Sequence, residues 1–92
     1  MVNLLDIERR YNIEIKYTKK DLSSCDSLYI IILKEKSESD VQVIQTIMWS
    51  ETNNYINNGC FCYREGECIT YIPLANLNYV KVVEIRKEDL RD

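Results

Sequence analysis

The 92-residue chain predicts a mostly β, α+β fold: a short N-terminal helix followed by a five- to six-stranded antiparallel sheet or a small barrel. Three observations predict it. Apolar and polar side chains alternate over several short stretches with the two-residue period of a half-buried strand. β-branched and aromatic residues are concentrated in those same stretches. Turn-forming residues, Gly66 and Pro73 among them, punctuate the later ones.

Asn3 can cap a helix over residues 4–10, with Leu4, Leu5, Glu8 and Tyr11 at helical spacing and Asp6 in the first turn, where the helix dipole favours a negative charge. Ile13, Ile15 and Tyr17 alternate with Glu14, Lys16 and Thr18, which predicts a strand. Residues 19–27 read as a polar connection. Residues 28–33, Leu-Tyr-Ile-Ile-Ile-Leu, are apolar on both faces and predict a central strand covered on both sides. Residues 34–40 are charged and form a turn. Residues 41–49 fit a helical stripe through Val41, Ile44, Ile47 and Met48, or a strand face through Val41, Val43, Ile47 and Trp49. The density of β-branched residues favours the strand. The paired asparagines within residues 50–58 mark an irregular excursion around Tyr55 and Ile56.

Residues 59–63 and 67–72 flank Arg64-Glu65-Gly66, which reads as a three-residue hairpin loop with Gly66 in the left-handed position. That register sets Tyr63 against Glu67, Cys62 against Cys68 and Phe61 against Ile69. Cys60, Cys62 and Cys68 then share one face, and Phe61, Tyr63, Ile69 and Tyr71 the other. A two-residue Glu65-Gly66 turn would move Cys68 to the opposite face, but Glu suits the first position of that turn poorly. Pro73 cannot continue a ladder, so residues 73–77 read as one turn of 3₁₀ helix. Residues 79–85 form a last strand and residues 86–92 a charged tail. This order resembles the small SH3-like and Sm-like barrels, in which a single 3₁₀ turn separates the last two strands. The resemblance is architectural, covers residues 59–85, and implies a small closed barrel.

Composition narrows the function. With 46% hydrophobic and 29% charged residues the chain has the makeup of a globular domain, and at this length one modest core is expected. Twelve basic against fifteen acidic side chains give a net charge of −3, too small to imply electrostatic capture of nucleic acid. The longest apolar run is far short of the ~20 residues needed to span a bilayer. Residues 1–10 carry charges and lack the pattern of a signal peptide. A cytoplasmic setting, inside a host cell if the protein is viral, and four reduced cysteines are therefore expected.

The chain contains no histidine, which removes the commonest general base and most catalytic triads. With Gly59 and Gly66 as its two glycines it has no phosphate-binding loop. Neither an enzyme nor a cofactor is expected. Cys60, Cys62 and Cys68 with the remote Cys25 could supply four thiolates to zinc, although the strand spacing of the first two departs from the usual paired knuckle. The three-residue loop would bring Cys62 and Cys68 to disulfide geometry. The favoured reading keeps the cysteines as small, mostly buried thiols and assigns no metal.

Seven tyrosines, one tryptophan and one phenylalanine are more aromatic rings than a core this small can enclose. Recognition is assigned to Trp49, Tyr55, Phe61, Tyr63, Arg64, Tyr71 and Tyr79. The expectation is a non-enzymatic protein-binding module, able to self-associate as a homodimer. A viral or mobile-element accessory that inhibits a host defence protein fits the size and the abundance of Ile and Asn. Two other readings stand beside it. A small-barrel nucleic-acid binder would cluster Lys16, Lys19, Lys20, Arg64 and Lys81 near exposed rings. A structural zinc module would gather the cysteines.

Overall fold

A computed structural model describes residues 3–49 and 55–92. The order along the chain is helix α1 (Leu4–Tyr11), a 3₁₀ turn (Lys19–Asp21), strands β1 (Asp26–Glu35), β2 (Gln42–Trp49), β3 (Ile56–Asn57), β4 (Cys60–Glu65) and β5 (Cys68–Pro73), a second 3₁₀ turn (Leu74–Asn76), strand β6 (Leu77–Arg86) and a third 3₁₀ turn (Lys87–Asp89). The chain is mostly β, as its patterning predicts, but the strands divide into two antiparallel three-stranded sheets, β2-β1-β6 and β3-β4-β5. The two ladders do not close onto each other, so neither the single sheet nor the closed barrel expected from the sequence is formed among the described residues.

Strand β1 organises both halves of the core. It pairs with β2 and β6 along nearly its whole length. Leu28, Ile30 and Ile32 project to one side with Ile85, where Leu4, Ile15, Leu22 and Leu90 cover them. Tyr29, Ile31 and Leu33 project to the other, against Phe61, Tyr63 and Ile72 of the second sheet. A strand sandwiched between two layers has no solvent face, which is why its sequence reads as a continuous apolar run. Each of these side chains contributes about 1.5–3 kcal/mol through removal from water.

Helix α1 starts where the sequence places it: Asn3 Oδ1 accepts hydrogen bonds from the Leu5 and Asp6 backbone N–H groups. It ends at Asn12, which takes the left-handed conformation at φ 53°. The strand expected over residues 13–17 is not formed. Ile13, Ile15 and Tyr17 pack on the sheet face as their alternation implies, but side chains replace a strand partner. Ile15 N–H donates to Glu8 Oε2 at 2.8 Å, Lys16 N–H to Gln45 Oε1 at 3.0 Å, and Gln45 Nε2 to the Glu14 carbonyl at 2.7 Å. The segment lies over the sheet and not in its plane.

Residues 41–49 resolve as the strand β2. Both of its faces are used: Val43 and Ile47 join the helix-side core, while Ile44 and Met48 join the core between the sheets. The C-terminal residues, expected to be a charged tail, are docked. Leu90 is buried in the helix-side core, the Lys19 N–H donates to the Arg91 carbonyl at 2.8 Å, and Arg91 Nη2 lies 2.6 Å from Glu8 Oε1.

Candidate aromatic binding face

The β4–β5 hairpin decides what faces outward. Its register pairs Glu65 with Cys68, Arg64 with Ile69, Tyr63 with Thr70, Cys62 with Tyr71 and Phe61 with Ile72. The turn is therefore Gly66-Glu67 and not the expected Arg64-Glu65-Gly66 loop. Gly66 sits at φ +60°, at the first central position, where a type II′ turn requires a residue free to be left-handed. One residue fewer in the loop changes which β5 side chains share a face with β4. Ile69 and Tyr71 swing outward beside Arg64 and Cys62, and Cys68 moves to the side of Tyr63.

The same register corrects the cysteine expectations. Cys62 lies opposite Tyr71, and Cys68 belongs to the other face of the hairpin, so the Cys62–Cys68 disulfide has no geometry here. Cys60 and Cys62 share the outer face, while Cys25 precedes β1 in the other sheet. No group of three or more potential ligands is placed to hold a metal among the described residues.

Between the end of β2 and the hairpin lies an open depression of about 280 Å³. Buried Tyr63 and half-buried Met48 and Tyr55 form its base, and Trp49, Arg64 and Ile69 its rim, with Cys62 alongside. Trp49 is 51% and Ile69 52% exposed. Tyr71, 56% exposed, extends this apolar surface across the hairpin from Cys62. The hairpin is anchored to the first sheet by Thr46, whose hydroxyl donates to the Arg64 carbonyl. Arg64 is thus held where β2 and β4 meet.

Beneath the depression the rings are stacked: Tyr29 meets Tyr55 edge-on at 5.7 Å between centroids, and Phe61 sits 6.1 Å from Tyr55 and 6.0 Å from Tyr63. The buried Tyr29 hydroxyl donates to Glu84 Oε2 at 2.6 Å. Burial, reinforced by that carboxylate, pushes the Tyr29 phenol far up, and burial also raises Tyr55 and Tyr63. These phenols remain neutral at physiological pH. Among the described residues the depression offers aromatic surface and one charged donor, Arg64, and no carboxylate lines it.

Of the seven residues assigned to recognition, Trp49, Tyr55, Tyr63 and Arg64 are brought together here and Tyr71 adjoins them. Phe61 is 2% exposed and belongs to the core. Tyr79 stands on β6, in the other sheet, with Lys81 Nζ 5.9 Å from its ring centroid. Met48 and Ile69 were not anticipated. The expected three-residue loop groups Ile69 on one face with Phe61 and Tyr63, and the signal that separates it from them is the Gly-X pair at residues 66–67. The basic side chains are dispersed. Lys16 flanks β2 through Gln45, Lys19 pairs with Asp92, and Lys81 lies on β6 at the far edge of the first sheet. Compared with protein-family models, with curated proteins and with solved structures, the chain matches none.

Proposed function

We propose that the protein is a non-enzymatic protein-binding module whose contact surface is the face formed by Trp49, Tyr55, Arg64, Ile69 and Tyr71. The observation that carries this reading is the exposure of three large apolar side chains, Trp49, Ile69 and Tyr71, around one aromatic-based depression with an arginine on its rim. Trp, Tyr and Arg are the residues that dominate binding energy at protein interfaces, and grouped exposed apolar surface is costly unless a partner covers it. The dispersal of the lysines weighs against a nucleic-acid surface, which needs a contiguous basic track. The separation of the cysteines over three places weighs against a zinc module.

In this reading the protein acts in the cytoplasm, of the host cell if it is viral, where its four thiols stay reduced. A small accessory of a virus or mobile element that blocks a host defence protein is the setting we favour. The test is affinity capture from the native host with the wild-type chain, the double variant Trp49→Ala/Tyr71→Ala, and Tyr79→Ala as a control on β6, outside the depression. The expected result is a partner retained by wild type and Tyr79→Ala and lost by the double variant. A partner retained by all three sinks the assignment. Light scattering on the same variants reports whether the face also pairs two copies of this chain.

A further inference from the structure

We infer that the depression receives one anchor residue of an acidic partner segment: a bulky apolar side chain seated among Trp49, Tyr55 and Ile69, with the carboxylate of a neighbouring Asp or Glu held by the Arg64 guanidinium. This rests on the protein-binding reading above and specifies its partner. Three observations lead to it. First, the depression, about 280 Å³, is open to the surface and lined mainly by apolar and aromatic side chains. It suits one side chain of a larger partner whose remainder lies across the adjoining Ile69 and Tyr71.

Second, among the described residues Arg64 is the one charged residue lining the depression, and its side chain has no ion-pair partner among them. A guanidinium presents a planar fork of donors that a carboxylate matches with two parallel hydrogen bonds. Third, the strand alternation keeps the adjacent Glu65 away from it. Glu65 lines a separate depression with Tyr17, Gln45 and Thr46. An incoming carboxylate on the Trp49 side meets Arg64 without Glu65 beside it. The charge lining the depression among the described residues is therefore complementary to an acidic segment although the whole chain carries −3.

The experiment titrates the isotope-labelled full chain with short end-capped peptides in a Gly-Ser background, followed by amide shifts and by fluorescence of Trp49, the single tryptophan. The probes contain Phe-Asp, Phe-Asn or Ala-Asp, and free N-acetylphenylalanine serves as the small-molecule arm. The Phe-Asp peptide is expected to shift Trp49, Cys62, Arg64 and Ile69, and to bind about fivefold more tightly than Phe-Asn, the scale of one exposed charge-assisted contact. Ala-Asp should bind more weakly still. Arg64→Gln should abolish the Asp-over-Asn preference, bringing the two peptides to one affinity.

Equal binding of Phe-Asp and Phe-Asn at the depression overturns the carboxylate contact while leaving the protein-binding face intact. Shifts on another surface, or none, overturn the anchor site. N-acetylphenylalanine binding as tightly as the peptide would make the site one for free aromatic acids. A captured host partner indifferent to Trp49 and Tyr71 would remove the underlying reading instead, so the two failures are distinguishable.

Discussion

The two sheets treat their side chains differently. In β2-β1-β6 the central strand is buried on both faces, and its six apolar side chains from Leu28 to Leu33 are at most 3% exposed. In β3-β4-β5 one face covers the core and the other is left open, so that Phe61 and Ile72 lie inside while Ile69 and Tyr71 lie outside on adjoining positions of the same hairpin. The first sheet holds the molecule together. The second turns Ile69 and Tyr71 outward, more than half exposed.

That contrast is broken most directly by truncating matched residues in the two sheets. Ile30→Ala removes a fully buried side chain flanked by β2 and β6, and should cost about 3–4 kcal/mol from lost transfer energy and the cavity left behind. Ile69→Ala, at an exposed site, should change stability by less than ~0.5 kcal/mol. Urea unfolding of both variants measures the difference. Comparable losses would mean that the hairpin's outer face is structural and not available for binding.

A smaller effect is expected where the two sheets communicate. Tyr29 belongs to the first sheet, contacts Tyr55 beneath the depression and donates to Glu84 on β6. Tyr29→Phe keeps the ring and removes the donor, and should cost about 1.5–3 kcal/mol, the scale of a hydrogen bond to a charged acceptor. If the aromatic stack supports the binding face only by packing, peptide affinity at Trp49 should be unchanged in Tyr29→Phe. A parallel loss of affinity would show that the buried polar contact also positions Tyr55.

The turn at Gly66 sharpens the comparison further. At φ +60° a Cβ meets no neighbour within 4 Å, so Gly66→Ala tests backbone strain alone and should cost about 1 kcal/mol. The sequence supports a left-handed Gly66 under either loop length, which is why the register was not legible from it. Alternation and composition report which residues prefer burial, and Phe61, Tyr63 and Ile72 are inside as that preference dictates. They do not report which of Ile69 and Cys68 goes with them, because each is small or apolar enough for either face. The buried run of β1 was legible because no other environment suits six consecutive apolar residues. The segment over residues 13–17 was half legible: its alternation located the buried side chains, but a pattern of side chains carries no information about whether a ladder partner or a Gln45 side chain satisfies the backbone. The proposed anchor site was visible only as an excess of rings; Trp49 and Arg64 line one depression through the geometry of β2 against β4, which no local pattern encodes.

The smallest effect expected concerns the clasp between the ends of the chain, far from the open hairpin face. Glu8 accepts from Arg91 Nη2 at 2.6 Å and from the Ile15 N–H at 2.8 Å. The Arg91 guanidinium first, then the Ile15 donor, hold its carboxyl below the ordinary glutamate value. A carboxyl whose pKa is lower in the folded than in the unfolded state binds its proton more readily once unfolded, so it stabilises the fold fully above the unfolded value and loses that contribution as pH falls through the folded one. Arg91→Gln should therefore be less stable than wild type at neutral pH, with the gap between their denaturant midpoints closing as Glu8 protonates in acid. Because Arg91 is exposed, high salt should narrow the same gap. A gap unchanged by acid would trace the loss to the packing of Leu90 beside it and not to the ion pair. In either case binding at Trp49 and Arg64 should be unaffected, since the clasp braces the helix-side layer and no residue of the clasp lines the depression.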